Sequence, residues 1–377
     1  MKILSVSHYY PPHVGGLEVV AKKQVESLRD EGHTVRVLTC AVKDAALGKS
    51  YEEGVTVHRE RASNILDTRF GIPFPIPGVG MMVRIFTEVR RADAVHIHDV
   101  FYMPSWFACF FAVLFRKPIV LTQHVAMVEH RSRAVMLVQR IVYRIIGDAI
   151  FKASRAIIVY NCNVANFLNA RGVSMDKVIE LRNGIDLSTF RADEEIDKDA
   201  VRALYGIPLN IPVALFVGRF VPKKGVDVLY HARAEQYHIV FAGTGHIPPE
   251  WSREKNVSFI GPLTHSELAK LYCAVDLFVF PAVGEIFTLV MQEAMASGLP
   301  IITTDDPGYH AYAVDRNLIK FTSPDSVSLT KAISEVISDA PLAKNMKTYS
   351  LKLAKEWFDW HQNIHPVLEL YSKLSMK

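Results

Sequence analysis

Cysteine is scarce in this sequence: its four cysteines lie far apart and form no Cys-x-x-Cys pair. This pattern argues against a disulfide framework and against a zinc site, and it is typical of a protein in a reducing compartment. The amino terminus also lacks the layout of a secretory signal, and its first residues predict a β-strand instead. We therefore expect a cytoplasmic protein that binds no metal.

Motifs of two large functional classes are missing as well. No Gly-x-Gly-x-x-Gly fingerprint follows a predicted strand, which disfavours a dinucleotide-dependent dehydrogenase. No zinc-finger spacing, RNP-like aromatic motif or basic heptad helix occurs, so we expect no nucleic-acid partner. The longest apolar run, residues 100–115, is too short and too interrupted for a membrane span. We interpret this run as a buried helix.

Charge is unevenly distributed along the chain. Half of the 377 residues are apolar and 22% are charged, which is typical of a globular protein long enough for two domains. The net charge of +4 combines an excess of seven positive charges in residues 1–186 with an excess of three negative charges in the rest. A basic first half indicates an anionic partner there, such as a membrane surface or a phosphorylated acceptor.

Short runs of β-branched and apolar residues alternate with helical stretches along the whole chain. The predicted strands are 3–7, 35–39, 55–58, 94–98, 119–123, 156–160, 178–181, 213–217, 238–242, 257–260, 277–280, 301–303 and 318–321. Two such series predict an α/β protein with two parallel sheets, each covered by helices on both faces. The segment 183–186 and the acidic residues 193–199 mark the junction, so we predict domains at 1–186 and 187–357.

Two glutamates eight residues apart follow one of these strands. Glu285 lies on the loop after the strand 277–280, and Glu293 falls within the next predicted helix. Eight helical residues rise about 12 Å, and strand ends of this kind bind ligands in open α/β sheets. Two carboxylates at this separation suit a ligand with hydroxyls at both ends and phosphates between, such as a nucleotide sugar. The same spacing is common in α/β proteins without any ligand, so it does not decide the matter alone.

Two loops have features that suit a diphosphate. Gly15 and Gly16 separate the first strand from a helix, where a close backbone and a helix amino end favour an anion, although such a turn is often only a turn. Arg219 and Lys224 share a tight loop after the strand 213–217. A planar guanidinium and a flexible ammonium can hold a diphosphate and neutralise its charge as it departs. A solvated basic loop is the alternative.

Five motifs occur along the chain in a fixed order: PPHVGGLE at 11–18, NGID at 183–186, VGRFVPKKG at 217–225, the Glu285–Glu293 spacing, and EAMASGLP at 293–300. Together they resemble the retaining GT-B glycosyltransferases of family four, the glycosyltransferase group 1 enzymes, over nearly the whole length. The resemblance implies two Rossmann-like, doubly wound parallel-sheet domains that face each other across a cleft. It assigns the acceptor to the first domain and the donor to the second, and it implies that residues from about 358 to 377 pack back on the first domain.

The resemblance also implies a role for each matching residue. Glu285 would hold the hydroxyls of the donor sugar, Glu293 would bind the ribose, and Arg219 and Lys224 would bind the diphosphate. Backbone groups would complete the phosphate site and frame the base. They belong to Gly15, Gly16, Phe287, Thr288 and Leu289 for the phosphates, and to the loop from Gly261 to Leu263 for the base.

His124 follows the predicted strand 119–123 and matches the family's active-site histidine near the donor sugar. Without the match, a histidine with a purely structural role at a strand end is the simpler interpretation. The resemblance therefore predicts catalytic roles for His124, Glu285, Arg219 and Lys224. One departure from the family pattern stands out: Ile286 and Thr288 occupy positions that are usually glycine. Side chains there would narrow the sugar pocket or tilt the loop.

These motifs imply a retaining, hexosyltransferase-type enzyme that needs neither a metal nor another cofactor. Its donor would be a UDP- or GDP-sugar, and its acceptor a hydroxyl of a glycan or a lipid-linked molecule in cell-surface polysaccharide or glycolipid synthesis. A nucleotide-sugar epimerase is an alternative and would form product without an acceptor. A non-catalytic nucleotide-sugar-binding protein is another and would show no turnover.

The predicted helix over residues 129–155 mixes cations with apolar side chains. Its cations are Arg131, Arg133, Arg140, Arg144, Lys152 and Arg155. A basic amphipathic face can rest on anionic lipid, which would place the protein at the inner face of the plasma membrane. An ordinary solvated helix explains the pattern equally well.

Overall fold

Runs rich in valine, isoleucine and phenylalanine form the strands of this protein, as their β-propensity predicts. A computed structural model describes residues 1–13, 15–41, 46–70, 74–127 and 132–376. The chain divides into two units: unit 1 comprises Met1–Arg182 and the residues from Ile364 onwards, and unit 2 comprises Asn183–Asn363. The sequence predicted domain boundaries after residues 186 and 357. The observed boundaries fall after Arg182, four residues earlier, and after Asn363, six residues later.

Backbone pairing explains why both crossing segments stay with unit 2. The amide of Ile185 donates to the carbonyl of Phe358 at 2.8 Å, and the amide of Trp360 donates to the carbonyl of Ile185 at 3.1 Å. Gly184 lies directly against the Trp360 backbone, where any side chain would collide with it. The two segments are therefore fastened to each other within unit 2.

Unit 1 is built on one mainly parallel sheet. Its strands are β1 Lys2–Val6, β2 Thr34–Ala41, β3 Gly48–Glu52, β4 Val55–Ser63, β5 Ile76–Pro77, β6 Ala94–His98, β7 Ile119–Gln123, β8 Ala156–Val159 and β9 Val178–Glu180. Their order is β3-β4-β2-β1-β6-β7-β8-β9, with β3 and β5 antiparallel to β4. Its helices are α1 Gly16–Asp30, α2 Ile65–Phe70, α3 Val79–Arg91, α4 Met103–Leu114, α5 Arg133–Val142, α6 Asp148–Ala153 and α7 Cys162–Ala170.

Unit 2 is built on a parallel sheet in the order β12-β11-β10-β13-β14-β15. These strands are β10 Val213–Phe220, β11 His238–Gly245, β12 Val257–Ile260, β13 Leu277–Phe280, β14 Ile301–Thr304 and β15 Lys320–Thr322. The helices are α8 Lys198–Leu204, α9 Val226–His231, α10 His265–Ala274, α11 Leu289–Ala296, α12 Ser326–Ser338, α13 Ala340–Trp357 and α14 Trp360–Asn363. The last helix of the chain, α15 His365–Ser375, belongs to unit 1.

Strands β8 and β13 are buried along their whole length, which is why they consist entirely of apolar residues. The tyrosine of α15, Tyr371, is fully buried in unit 1 and lies 5.9 Å from the ring of His96 on β6. The carboxyl-terminal residues therefore pack on the first sheet.

The prediction that residues 100–115 form a buried helix is only half right. One face of α4 is buried, but Phe110, Val113 and Leu114 are exposed on the other. The reason is that α4 packs on the sheet and on α3, where Phe86 contacts Phe111 edge to face, and nothing in the described chain covers its outer face. Among the described residues, no helix is both long and apolar enough to cross a membrane.

Candidate functional site

The strand order of unit 2 changes direction between β10 and β13. Chain order runs outward through β11 and β12 on one side of β10, and through β14 and β15 on the other side of β13. Such a switch point leaves a crevice at the carboxyl ends of the two strands, where open α/β sheets bind ligands. The loop with Arg219 and Lys224 follows β10, and the loop with Glu285 follows β13. The topology thus brings the two predicted donor loops together.

Direct contacts connect these two loops. The amide of Val283 donates to the carbonyl of Lys223 at 3.3 Å. Gly225 adopts a left-handed backbone, with a φ of 68°, and lies so close to the Pro281 carbonyl that a side chain would overlap it. The ammonium of Lys224 donates to the carboxylate of Glu285. The two loops are therefore joined to each other by backbone and side-chain contacts.

The environment of Lys224 is partly apolar. Its ammonium lies 5.2 Å from the ring centroid of Phe280 and pairs with Glu285, and both charged side chains are less than a fifth exposed. Burial lowers the pKa of Lys224, while the adjacent Glu285 carboxylate opposes this shift and favours the charged form. Arg219 is exposed and makes no ion pair within the described residues. Lys224 is therefore the fixed cation of this loop and Arg219 the available one.

The segment between Glu285 and α11 is held in an unusual conformation. Phe287 has a positive φ of 43°, which is rare for an aromatic residue and costs about 1–3 kcal/mol. Its carbonyl accepts a hydrogen bond from the buried side-chain amide of Gln292 at 2.7 Å. Its ring is enclosed by four aromatic side chains, those of Tyr309, Tyr312, Trp357 and Phe358. This packing fixes the direction in which Glu285 and the start of α11 point.

Ile286 and Thr288, the two residues that replace the family's usual glycines, both have backbone angles that a non-glycine residue adopts without strain. The side chain of Ile286 packs directly against Gly308, and any side chain at position 308 would collide with Ile286. Thr288 has the extended backbone of a helix N-cap, which any residue adopts, and its hydroxyl makes no capping bond. Asp306 supports the segment by accepting hydrogen bonds from the amides of Gly284 and Gly308. Ile286 is thus engaged in packing, and the positive φ falls on Phe287.

Glu293 lies inside α11, where it is buried and bonded to the hydroxyl of Tyr272 at 3.1 Å. Burial and the neighbouring Glu293 raise the pKa of Tyr272, so this phenol remains a donor. Gly261 and Leu263 lie on the loop after β12, next to the capping box that starts α10. Gly261 is exposed with open space around it. Within the described residues, no hydrogen bond or ion pair joins Gly261 or Leu263 to Glu285, whose ion-pair partners are Lys223 and Lys224.

In unit 1, His124 directly follows β7 and lies beside the end of β6. Its amide donates to the carboxylate of Asp99 at 2.9 Å, and its Nε2 lies 3.2 Å from Nδ1 of His98. Burial raises the pKa of Asp99 to about 7, and Asp99 has a positive φ of 60°. The sequence analysis assigned no role to His98, although it ends a predicted strand, and did not single out Asp99. The His-x-His-Asp pattern at a strand end was the available signal.

Gly15 and Gly16 begin α1, as predicted for a glycine turn at a helix start. The carboxylate of Glu18 lies over Gly15, where a side chain would collide with it, and accepts a hydrogen bond from His13 at 2.6 Å. A carboxylate at a helix amino end occupies the position that favours an anion. A phosphate at Gly15 and Gly16 would therefore have to displace Glu18. Their donor role stays a prediction.

Among the described residues, no cluster of histidine, cysteine, aspartate or glutamate side chains is arranged to hold a metal ion. Val14 of the first motif and Arg131 of the basic segment lie outside the described residues.

Two family models match the sequence, one in each half. The model described as glycosyltransferase family 4 matches residues 14–189, and the model described as glycosyl transferases group 1 matches residues 197–353. Among curated proteins, D-inositol 3-phosphate glycosyltransferase of Mycolicibacterium smegmatis is 26% identical over 310 residues, covering 76% of this chain and 70% of that protein. The Mycobacterium tuberculosis protein of the same name is 29% identical, covering 57% of this chain and about half, 49%, of its own length.

Solved structures share the architecture at low identity. Sucrose-phosphate synthase from Thermosynechococcus elongatus superposes with a TM-score of 0.76 at 20% identity, covering 100% of this chain and 99% of that one. Anabaena HepE in complex with UDP-glucose superposes with a TM-score of 0.78 at 17% identity, covering 99% and 100%. WaaG, a glycosyltransferase of lipopolysaccharide biosynthesis, gives a TM-score of 0.70 at 17% identity, covering 98% and 99%.

Proposed function

This chain belongs to the group 1, family 4 glycosyltransferases, and on that premise we propose that it transfers a sugar from a UDP- or GDP-sugar to a hydroxyl group with retention of configuration. Its enzyme class and its fold of two Rossmann-like parallel-sheet domains, the GT-B fold, are confirmed by the family models and the solved structures. The donor, the acceptor and the stereochemistry are the proposal.

The pairing of Lys224 with Glu285 at the switch point is the observation that supports the donor site best. A diphosphate in this crevice would meet the Lys224 ammonium, the exposed Arg219 guanidinium and the backbone amides at the start of α11. Preformed charges of this kind stabilise the negative charge that develops on a leaving nucleoside diphosphate. Glu285 would accept hydrogen bonds from sugar hydroxyls and, by its charge, keep Lys224 protonated.

We propose that transfer retains configuration by the front-side route that the family resemblance implies. The leaving diphosphate itself would accept the proton of the attacking hydroxyl on the face from which it departs. This front-side route needs stabilisation of the diphosphate and correct placement of the acceptor, and it needs no separate protein nucleophile. The family resemblance implies, in addition, a role for His124 near the donor sugar.

We expect incubation with a panel of UDP-, GDP- and ADP-sugars and a lipid extract to release nucleoside diphosphate with one donor only. UDP-glucose is the first donor to test, because the HepE structure holds it. D-inositol 3-phosphate, named in the mycobacterial relatives, is an acceptor to include. Because no metal is proposed, activity should persist in EDTA.

The alternatives give different results in the same assay. An epimerase would convert the donor without any acceptor and release no nucleoside diphosphate. A non-catalytic binding protein would bind a donor, shift the melting temperature and release nothing. Either pattern would contradict the proposed transfer, and loss of activity in EDTA would contradict its independence from metals.

For a lipid-linked acceptor, we propose that α5 rests on an anionic membrane surface at the inner face of the plasma membrane. The helix has no acidic residue, and its exposed side chains alternate between apolar and cationic. They are Arg133, Leu137, Val138, Arg140 and Ile141, followed by Arg144 and Ile145 in the next turn. Exposed apolar side chains among cations match the acyl and headgroup layers of an anionic bilayer.

Replacing Arg140 and Arg144 together with alanine should weaken binding to phosphatidylserine vesicles by about tenfold or more, at about 1 kcal/mol per arginine near the surface. Sedimentation with vesicles measures this. The matched control replaces two exposed lysines of unit 2, Lys331 and Lys352, and should leave binding unchanged. Equal binding by both double variants, or equal binding to neutral vesicles, would refute the membrane proposal.

A further inference from the structure

A line of hydrogen-bonded side chains crosses three neighbouring strands in unit 1 and ends at His124. The hydroxyl of Ser5 on β1 lies 3.2 Å from Nε2 of His98 on β6, and Nδ1 of His98 lies 3.2 Å from Nε2 of His124 after β7. Ser5 and His98 are buried almost completely. The two contacts engage both ring nitrogens of His98, and burial keeps the ring away from solvent.

Neighbouring groups hold the two rings in place. The ring of His96 stacks on that of His98 at 4.6 Å and 9°, and His96 itself is bonded to Thr122 at 2.7 Å. The backbone of His124 is bonded to Asp99 at 2.9 Å. Because the ring of His98 is fixed on both edges and on one face, the direction of its Nδ1 is fixed as well.

Both imidazoles are neutral at neutral pH. Burial lowers the pKa of His98 to about 3. Burial, and then the proximity of His98, hold the pKa of His124 well below its ordinary value. A neutral imidazole carries one proton, on either Nδ1 or Nε2.

The contact between the two rings restricts where these protons lie. A hydrogen bond between Nδ1 of His98 and Nε2 of His124 needs one proton, carried by only one of the two nitrogens. If His98 donates, both rings carry their proton on Nδ1; if His124 donates, both carry it on Nε2. The mixed combinations place two protons or two lone pairs face to face. His98 and His124 must therefore share the same tautomer.

We propose that His98 is a positioning residue, which orients the ring of His124 and couples the tautomers of the two histidines so that Nδ1 of His124 is the nitrogen left for a ligand. Within the described residues, Nδ1 of His124 has no hydrogen-bond partner. The structural claim stands by itself, whereas its importance for transfer rests on the function proposed above.

Two substitutions separate the two bonds of His98. In His98→Asn, the side-chain amide reaches the position of Nδ1 and keeps the contact with His124. In His98→Gln, it reaches the position of Nε2 and keeps only the contact with Ser5. An exposed histidine of unit 2, His361, provides the control His361→Asn.

Nitrogen-15 NMR of the histidine rings tests the structural claim without any assay of activity. Spectra of the His98→Asn and His124→Asn variants assign the two rings in the native protein. We expect both to show the same tautomer at pH 7, and we expect His98→Gln to release His124 into a mixture of tautomers. Opposite tautomers in the native protein, or an unchanged His124 in His98→Gln, would overturn the proposal.

Kinetics test the consequence for transfer. His98→Gln should lower kcat by about tenfold to a hundredfold, the size of the effect when a group that orients a metal-binding histidine is removed, with the donor Kd unchanged. His98→Asn should recover most of the loss, and His361→Asn should match the native protein. Equal losses in the Asn and Gln variants would contradict the positioning role. Coupled tautomers in a protein without transfer activity would instead contradict the proposed function.

Discussion

Replacing Lys224 with alanine should lower kcat by about a hundredfold to a thousandfold while the protein remains folded. The expected loss is that of removing one preformed charge that stabilises a developing negative charge. The fold should tolerate the change because Lys223, whose ammonium lies 3.8 Å from the Glu285 carboxylate, still compensates that charge. Initial rates at saturating donor, together with the melting temperature, measure both effects.

The neighbouring lysine is a stringent control for this prediction. Lys223 belongs to the same loop, but its side chain is 60% exposed, compared with 18% for Lys224. An exposed ion pair contributes about 1 kcal/mol or less, so Lys223→Ala should change kcat by less than about fivefold. If the two alanine variants lose activity equally, general loop charge and not the position of Lys224 determines the rate.

Replacing Gly225 with alanine should destabilise unit 2 by about 3 kcal/mol or more. A non-glycine residue with a left-handed backbone costs about 1–2 kcal/mol. The added methyl group would also overlap the Pro281 carbonyl, which is rigid backbone. The loops after β10 and β13 would have to separate. Urea denaturation measures the change in the free energy of unfolding.

Gly206 provides a control in which only the backbone strain applies, so that the difference between the two variants measures the overlap with Pro281. Its φ of 65° nearly equals the 68° of Gly225, but a side chain there would meet open space. Gly206→Ala should therefore cost only the backbone strain, about 1–2 kcal/mol. Equal destabilisation by Gly225→Ala and Gly206→Ala would show that the close contact between Gly225 and the Pro281 carbonyl does not contribute to stability. A larger effect at Gly225, accompanied by weaker donor binding, is the expected result.

The sequence was sufficient to predict the parallel strands of both sheets and the position of the donor loops, but it missed the antiparallel strands β3 and β5. Buried parallel strands consist of apolar runs, and the glycines and prolines that end them mark where loops begin. Lys224 and Glu285 could be placed at strand ends for this reason. Their direct contact follows from the order of strands β10 and β13, which is a property of the topology and cannot be derived from either loop alone.

The conformation around Phe287 could not be predicted from its local sequence. A positive φ is expected for glycine, and the family pattern suggested glycines on either side of this residue. The strain falls on Phe287 because an aromatic enclosure, completed by Trp357 and Phe358 from the end of unit 2, binds its ring. Side chains seventy residues apart determine this backbone angle. The packing of Ile286 against Gly308 could not be predicted either, because these two residues are brought together only by the fold.

The contact between His98 and His124 shows a similar limit. Each histidine was recognisable at a strand end, but their pairing depends on the parallel register in which His98 of β6 lies opposite Thr122 of β7. That register leaves His124 two residues further along, within reach of the His98 ring. Sequence reasoning placed both residues at the same edge of the sheet without identifying the bond between them.

A crystal structure with a bound UDP- or GDP-sugar tests the central claim most directly. The account predicts diphosphate oxygens within hydrogen-bonding distance of the Lys224 ammonium and of the first backbone amides of α11, with sugar hydroxyls at Glu285. A diphosphate bound elsewhere, with Lys224 still paired only to Glu285, would contradict it.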